Sequence, residues 1–99
     1  MESKKPWTTS DRPCAGLFIA RKESAYSLPW GQFVVAHGDD LIVHAMWTTH
    51  VVTFRGSGLV ELFQDISGQV IERVTVSPRT DQFLRGPFIE SVEVDEIED

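Results

Sequence analysis

The chain has 99 residues, 41% of them hydrophobic, ten aromatics and a net charge of −6, which fits one small globular domain and excludes the disordered class. A lone cysteine, Cys14, cannot close an intramolecular disulfide, so a reducing, cytoplasmic compartment is expected rather than a secreted setting. The start, Met1-Glu2-Ser3-Lys4-Lys5-Pro6-Trp7, has no apolar run behind it, and Leu41 to Phe54 is too short and too polar to span a bilayer, so no signal peptide and no membrane association are expected.

Residues 1–13 read as a flexible leader, charged and broken by Pro6 and Pro13. Beyond it come short apolar runs separated by turn residues. Ala15 to Ala20 is the first predicted strand, Arg21 to Ser24 a polar turn, and Ala25 to Leu28 a short second strand stopped by Pro29, which also pushes Leu28 toward extended geometry. Gln32 to His37 has β-branched and aromatic strand composition and ends at the turn signal Gly38-Asp39-Asp40. Leu41 to Arg55 runs without Gly or Pro. That is longer than a usual strand of about 3–10 residues, so a hairpin turning near Trp47-Thr48-Thr49 is expected.

After Arg55-Gly56-Ser57-Gly58, Leu59 to Gln64 reads as a strand, Asp65-Ile66-Ser67-Gly68 as a turn, and Gln69 to Ser77 as an alternating strand. Together they form the clearest hairpin expected from the sequence. Ser77 to Asp81 breaks the sheet, Phe83 to Pro87 is either one helical turn or an irregular connection, and Phe88 to Val94 is the last strand. It is expected to place Phe88, Glu90, Val92 and Val94 on one face. No window of eleven or more residues carries apolar positions at helical spacing, so no helix is predicted. The expected fold is all-β, a small antiparallel barrel or sandwich of about six to eight short strands spanning residues 14–94. Residues 95–99 are expected to form an acidic disordered tail.

The charge is unevenly placed. Glu90, Glu93, Asp95, Glu96, Glu98 and Asp99 account for the whole imbalance, and the remainder of the chain is neutral. A neutral body without a Lys/Arg cluster argues against nucleic-acid binding, which depends on neutralising many phosphates. The tail reads either as an edge strand protected by charge or as a segment that meets a partner. Small β domains also close their edges by self-association. Glu93, Asp95 and Glu96 are therefore candidate interface residues, with Trp7 on the leader and Trp30 on a connection as candidate aromatic anchors; each indole has the alternative of capping the protein's own core.

The histidines His37, His44 and His50 fall within fourteen positions, near Asp39 and Asp40. On one continuous strand His44 and His50 would stand about 20 Å apart; across a turn at 47–49 they become near cross-strand partners. Their side chains would then be close enough to share a metal, with His37 or Asp39 as a third ligand. Scattered histidines also serve as ordinary half-buried groups. Cys14 lacks a neighbouring base and reads as a small buried hydrophobe. Ser57 in Gly56-Ser57-Gly58 lacks the full nucleophile-elbow pattern and a following helix. Asp39 with Asp40 reads as an exposed turn, and Glu61 with Glu72 as sheet-surface charge. No catalytic residue and no cofactor are assigned.

Ala45-Met46-Trp47-Thr48-Thr49-His50 followed by Phe54-Arg55-Gly56 resembles the central hairpin of the tryptophan RNA-binding attenuation protein family, whose β-sheet rings bind RNA. The resemblance covers some fifteen residues with a gap, and a basic position of the family is Thr53 here, leaving Arg55 alone. It implies a compact β subunit able to oligomerise. The expected function is accordingly a non-enzymatic β domain acting by protein–protein contact, as a homo-oligomer. The alternative is a metal- or ligand-binding domain using His37, His44 and His50, and RNA binding ranks third.

Overall fold

The computed structural model describes residues 6–21, 24–76 and 86–97. Among these residues, eight strands form two four-stranded sheets. The first contains β1 (Trp7–Thr9), β2 (Gly16–Ala20), β3 (Ala25–Pro29) and β7 (Ile71–Thr75), in the order β1-β7-β2-β3. The second contains β4 (Phe33–Gly38), β5 (Ile42–Trp47), β6 (His50–Ser57) and β8 (Phe88–Glu96), in sequence order. All pairings are antiparallel except β2 with β7. The protein is mostly β, as expected, and the sheets do not close into the barrel that was one of the two expected architectures.

The expected hairpin over residues 59–77 does not form. Val60–Ser67 is instead a helix, α1, which links the two sheets and lies against β4. Leu59, Leu62, Phe63 and Ile66 follow the i, i+3, i+4, i+7 spacing of one helical face. Leu59, Leu62 and Ile66 are fully buried, with Phe63 packed beside them. The segment read as the turn of a hairpin is the end of this helix. Gly68 closes it with an N–H donated to the Gln64 carbonyl, and the chain leaves through Gln69 at φ 56°. The expected β5–β6 hairpin does form, with Thr48-Thr49 at its tip.

Trp7, expected in a loose leader, is 3% exposed and its strand pairs with β7. Its indole Nε1–H donates to Asp65 Oδ2 at 2.8 Å, tying β1 to α1. At the other end β8 runs through Asp95 to Glu96, opposite Val51 and His50 of β6. One core joins both sheets and the helix, with Leu17, Ile19 and Val74 from the first sheet and Val43, Trp47, Val52 and Phe54 from the second.

Bulges interrupt three of the described strands, β4, β7 and β8. In β8 the register shifts so that Arg55 faces Ser91 and Gly56 faces Ile89, leaving Glu90 as an extra residue. The extra residue reverses parity, so Ile89 and Val92 both enter the core. This corrects the expected face of Phe88, Glu90, Val92 and Val94. A Cβ on Gly56 would overlap the Phe88 carbonyl; only glycine admits so close a backbone approach. The expected turn over Ser77 to Asp81 lies outside the described residues, as does most of Phe83 to Pro87.

Candidate outer face of the second sheet

The inner face of the β4-β5-β6-β8 sheet is committed to the core through Val43, Ala45, Trp47, Val52, Phe54 and Val92. Successive residues of a strand point to opposite faces, so the residues between these line an outer face. Register organises that face into cross-strand rows. Val35, Met46, Val51 and Asp95 form one row; His37, His44, Thr53 and Glu93 form the next. In the first row Val35 is 47% exposed, Met46 38% exposed and Val51 half-buried.

In the second row the His37 and His44 rings lie 5.0 Å apart between centroids, tilted by 36°. His44 Nδ1 is 3.1 Å from the hydroxyl of Thr53. Thr53 is 7% exposed because its neighbours on both sides, His44 and Glu93, flank it on the central strand. Arg55 Nε reaches Glu93 Oε1 at 3.9 Å, with both side chains about half exposed, an ion pair of the kind worth at most about 1 kcal/mol.

His50 does not join this row. A two-residue loop pairs Met46 with Val51 and His44 with Thr53, while His50 faces Glu96. His50 thus shares parity with Val52 and Phe54 on the inner side. Its Nδ1 lies 2.7 Å from the Thr49 hydroxyl and its ring meets Tyr26 of the first sheet edge-on. The expected cross-strand proximity of His44 and His50 is therefore corrected by three positions of register. Asp39 is also occupied, its Oδ1 accepting the N–H groups of Leu41 at 2.8 Å and Ile42 at 3.0 Å. Those two bonds hold its carboxyl below the ordinary 3.8. Among the described residues, no group of three or more His, Cys, Asp or Glu side chains is placed to hold a metal ion.

The two candidate anchors Trp7 and Trp30 are each 3% exposed and belong to the protein's own core. Trp30 donates to the Ile71 carbonyl at 3.1 Å and packs on Phe33 and Trp47, which itself donates to the Pro29 carbonyl. The acidic candidates Glu93, Asp95 and Glu96 are exposed along β8, an edge strand. Cys14 Sγ sits among the carbonyls of Ile71, Gln69 and Gly16 at 3.2, 3.5 and 3.7 Å, a structural donor's position. A helix does follow Ser57, contrary to expectation, yet among the described residues no histidine or carboxylate hydrogen-bonds its hydroxyl. Glu61 lies in the first turn of α1 and Glu72 on β7, so they are not cross-strand partners. A shallow cleft of about 220 Å³ beside β1 and Arg73 is smaller than usual ligand pockets of about 300–1,000 Å³.

The outer apolar row was partly legible, because Ile42 to Trp47 alternates between two sets that both contain hydrophobic residues. No local signal in the sequence marks Thr53 as the neighbour of His44; only the loop length that fixes the register places it there. No protein-family model matches the chain, and no curated protein or solved structure matches it.

Proposed function

We propose that this chain is a non-enzymatic, sandwich-like β domain that works by protein–protein contact, self-associating through the outer face of its second sheet. The observation that carries the reading is the contiguous row Val35, Met46 and Val51, apolar side chains that neither the first sheet nor α1 covers. An apolar row rimmed by polar groups is the usual make-up of a contact surface.

Hydrogen-bonding complementarity, imidazole N–H donors against carboxylate acceptors, favours a second copy as the partner. His37 and His44 stand on the β4–β5 side of the face, and Glu93 and Asp95 on the β8 side. A two-fold axis lying in the interface along the strands brings each copy's histidine side over the other copy's acids. This is the self-complementarity that an isologous contact requires.

Sedimentation velocity across a wide range of chain concentration tests the proposal. A dimer is expected at high concentration. Met46→Lys is expected to weaken it about tenfold or more, as losing a central apolar contact costs about 1–2 kcal/mol. A full chain that stays monomeric at the highest attainable concentration overturns the reading.

A further inference from the structure

We infer that His37 and His44 form a two-imidazole site for a divalent transition-metal ion such as Ni²⁺, Cu²⁺ or Zn²⁺. The two side chains come from directly opposed positions of adjacent strands, β4 and β5, so the backbone ladder fixes their separation before any ion arrives. Such preorganisation removes much of the entropy cost of bringing two ligands together, and binding of the second imidazole is intramolecular once the first has bound.

The spacing fits the coordination. An imidazole nitrogen binds zinc at about 2.0–2.1 Å, which places the ring centroid about 3.2 Å from the ion. Two centroids 5.0 Å apart then subtend about 100° at the metal, between the square-planar and tetrahedral angles. Imidazole donors suit zinc, copper and nickel and discriminate against magnesium and calcium, which take oxygen ligands.

Thr53 supplies the supporting contact. With the His44 proton on Nδ1, that N–H donates to the Thr53 hydroxyl 3.1 Å away and Nε2 keeps its lone pair free for an ion. A partner on the far nitrogen is what orients metal-bound imidazoles and fixes their tautomer. His37 is exposed and His44 half-buried, so an ion reaches the pair from solvent. Since the described residues offer no third His, Cys, Asp or Glu to this cluster, the remaining coordination positions belong to water or to exogenous ligands, and the ion exchanges freely. The site belongs to the single chain, whereas the proposed self-association would lay the other copy's Glu93 and Asp95 over it. The titration is therefore made at a concentration where the chain is monomeric, and its failure would leave the contact proposal standing.

The test is calorimetric titration of the full chain with Ni²⁺ near neutral pH, in excess Mg²⁺. Saturable binding is expected that His37→Ala and His44→Ala each weaken at least tenfold, and that His50→Ala leaves within twofold. Thr53→Val, which keeps both imidazoles, is expected to weaken it about tenfold. Retention of wild-type affinity in both His37→Ala and His44→Ala overturns the site. Proton resonances of the unmutated chain provide a variant-free measurement: substoichiometric Ni²⁺ should broaden His37 and His44 first. Broadening that begins at His50 or beside Cys14 also overturns it.

Discussion

Asp39 shows how a single side chain turns local geometry into a measurable property of the fold. Its carboxylate accepts the N–H groups of Leu41 and Ile42, closing the turn that delivers β5 and with it His44. Hydrogen bonds to the charged form favour that form, which is why the carboxyl titrates below the ordinary 3.8. Because the folded pKa is the lower one, the contribution to stability is fully present above the unfolded pKa. It is lost as pH falls through the folded value. Asp39→Asn keeps a side-chain oxygen for the turn and removes the titration. The acid limb of a stability-versus-pH curve should therefore flatten in this variant below about pH 4, with little change near neutrality. An unchanged acid limb in chemical denaturation would show that Asp39 plays no such part. The turn itself was legible in Gly38-Asp39-Asp40; the two backbone bonds were not, since they depend on which way the carboxylate rotates.

At the scale of elements, strands were legible where residues alternate without interruption and obscure where a bulge adds one. Gly16–Ala20, Ala25–Pro29 and Phe33–Gly38 lie within a residue or so of the predicted runs. In β7 the pairing jumps from Thr8 with Arg73 to Thr9 with Ile71, so Glu72 is extra and Ile71 joins Val74 in the core. Strict alternation assigns those two residues to opposite faces. The helix was hidden by its length. Eight residues are fewer than the eleven that a periodicity argument needs, and over so short a span Leu59-Val60-Glu61-Leu62-Phe63 fits both periods. Substitutions separate the two. In the helix Leu62 is fully buried and Val60 about half exposed, whereas in a hairpin they would share a face. Leu62→Ala should cost about 2–5 kcal/mol. Val60→Ala should be neutral or slightly stabilising, since alanine has the better helix propensity. Equal losses at the two positions in urea denaturation would contradict the helix.

The chain as a whole alternates between its two layers. It builds β1 to β3 in the first sheet and β4 to β6 in the second, crosses through α1 to insert β7 between β1 and β2, then returns with β8. Such order depends on long-range pairing, above all the parallel contact of β2 with β7, and local sequence signals do not encode it. The charge distribution shows the same gap between composition and placement. The acids of the last ten residues read either as a charged edge strand or as a partner-meeting tail, with residues 95–99 as its disordered end. In the structure Glu90, Glu93, Asp95 and Glu96 occupy β8, which pairs along the whole of β6 and buries Ile89 and Val92. Their exposed positions on an edge strand match the charges that natural sheets use to discourage edge-to-edge pairing. Truncation distinguishes tail from strand. A chain ending after Gly86 loses the strand that pairs with β6 on that side and uncovers Phe54, Val52 and the β6 ladder. It should fail to show cooperative unfolding, because burial of a few core side chains at about 1.5–3 kcal/mol each approaches the total stability of about 5–15 kcal/mol typical of a domain. Ending the chain after Ile97 keeps every β8 pairing and should leave the thermal midpoint within a few degrees of the full chain's. If the shorter chain unfolds cooperatively by circular dichroism at a similar temperature, β8 is dispensable and the acidic segment behaves as a tail after all.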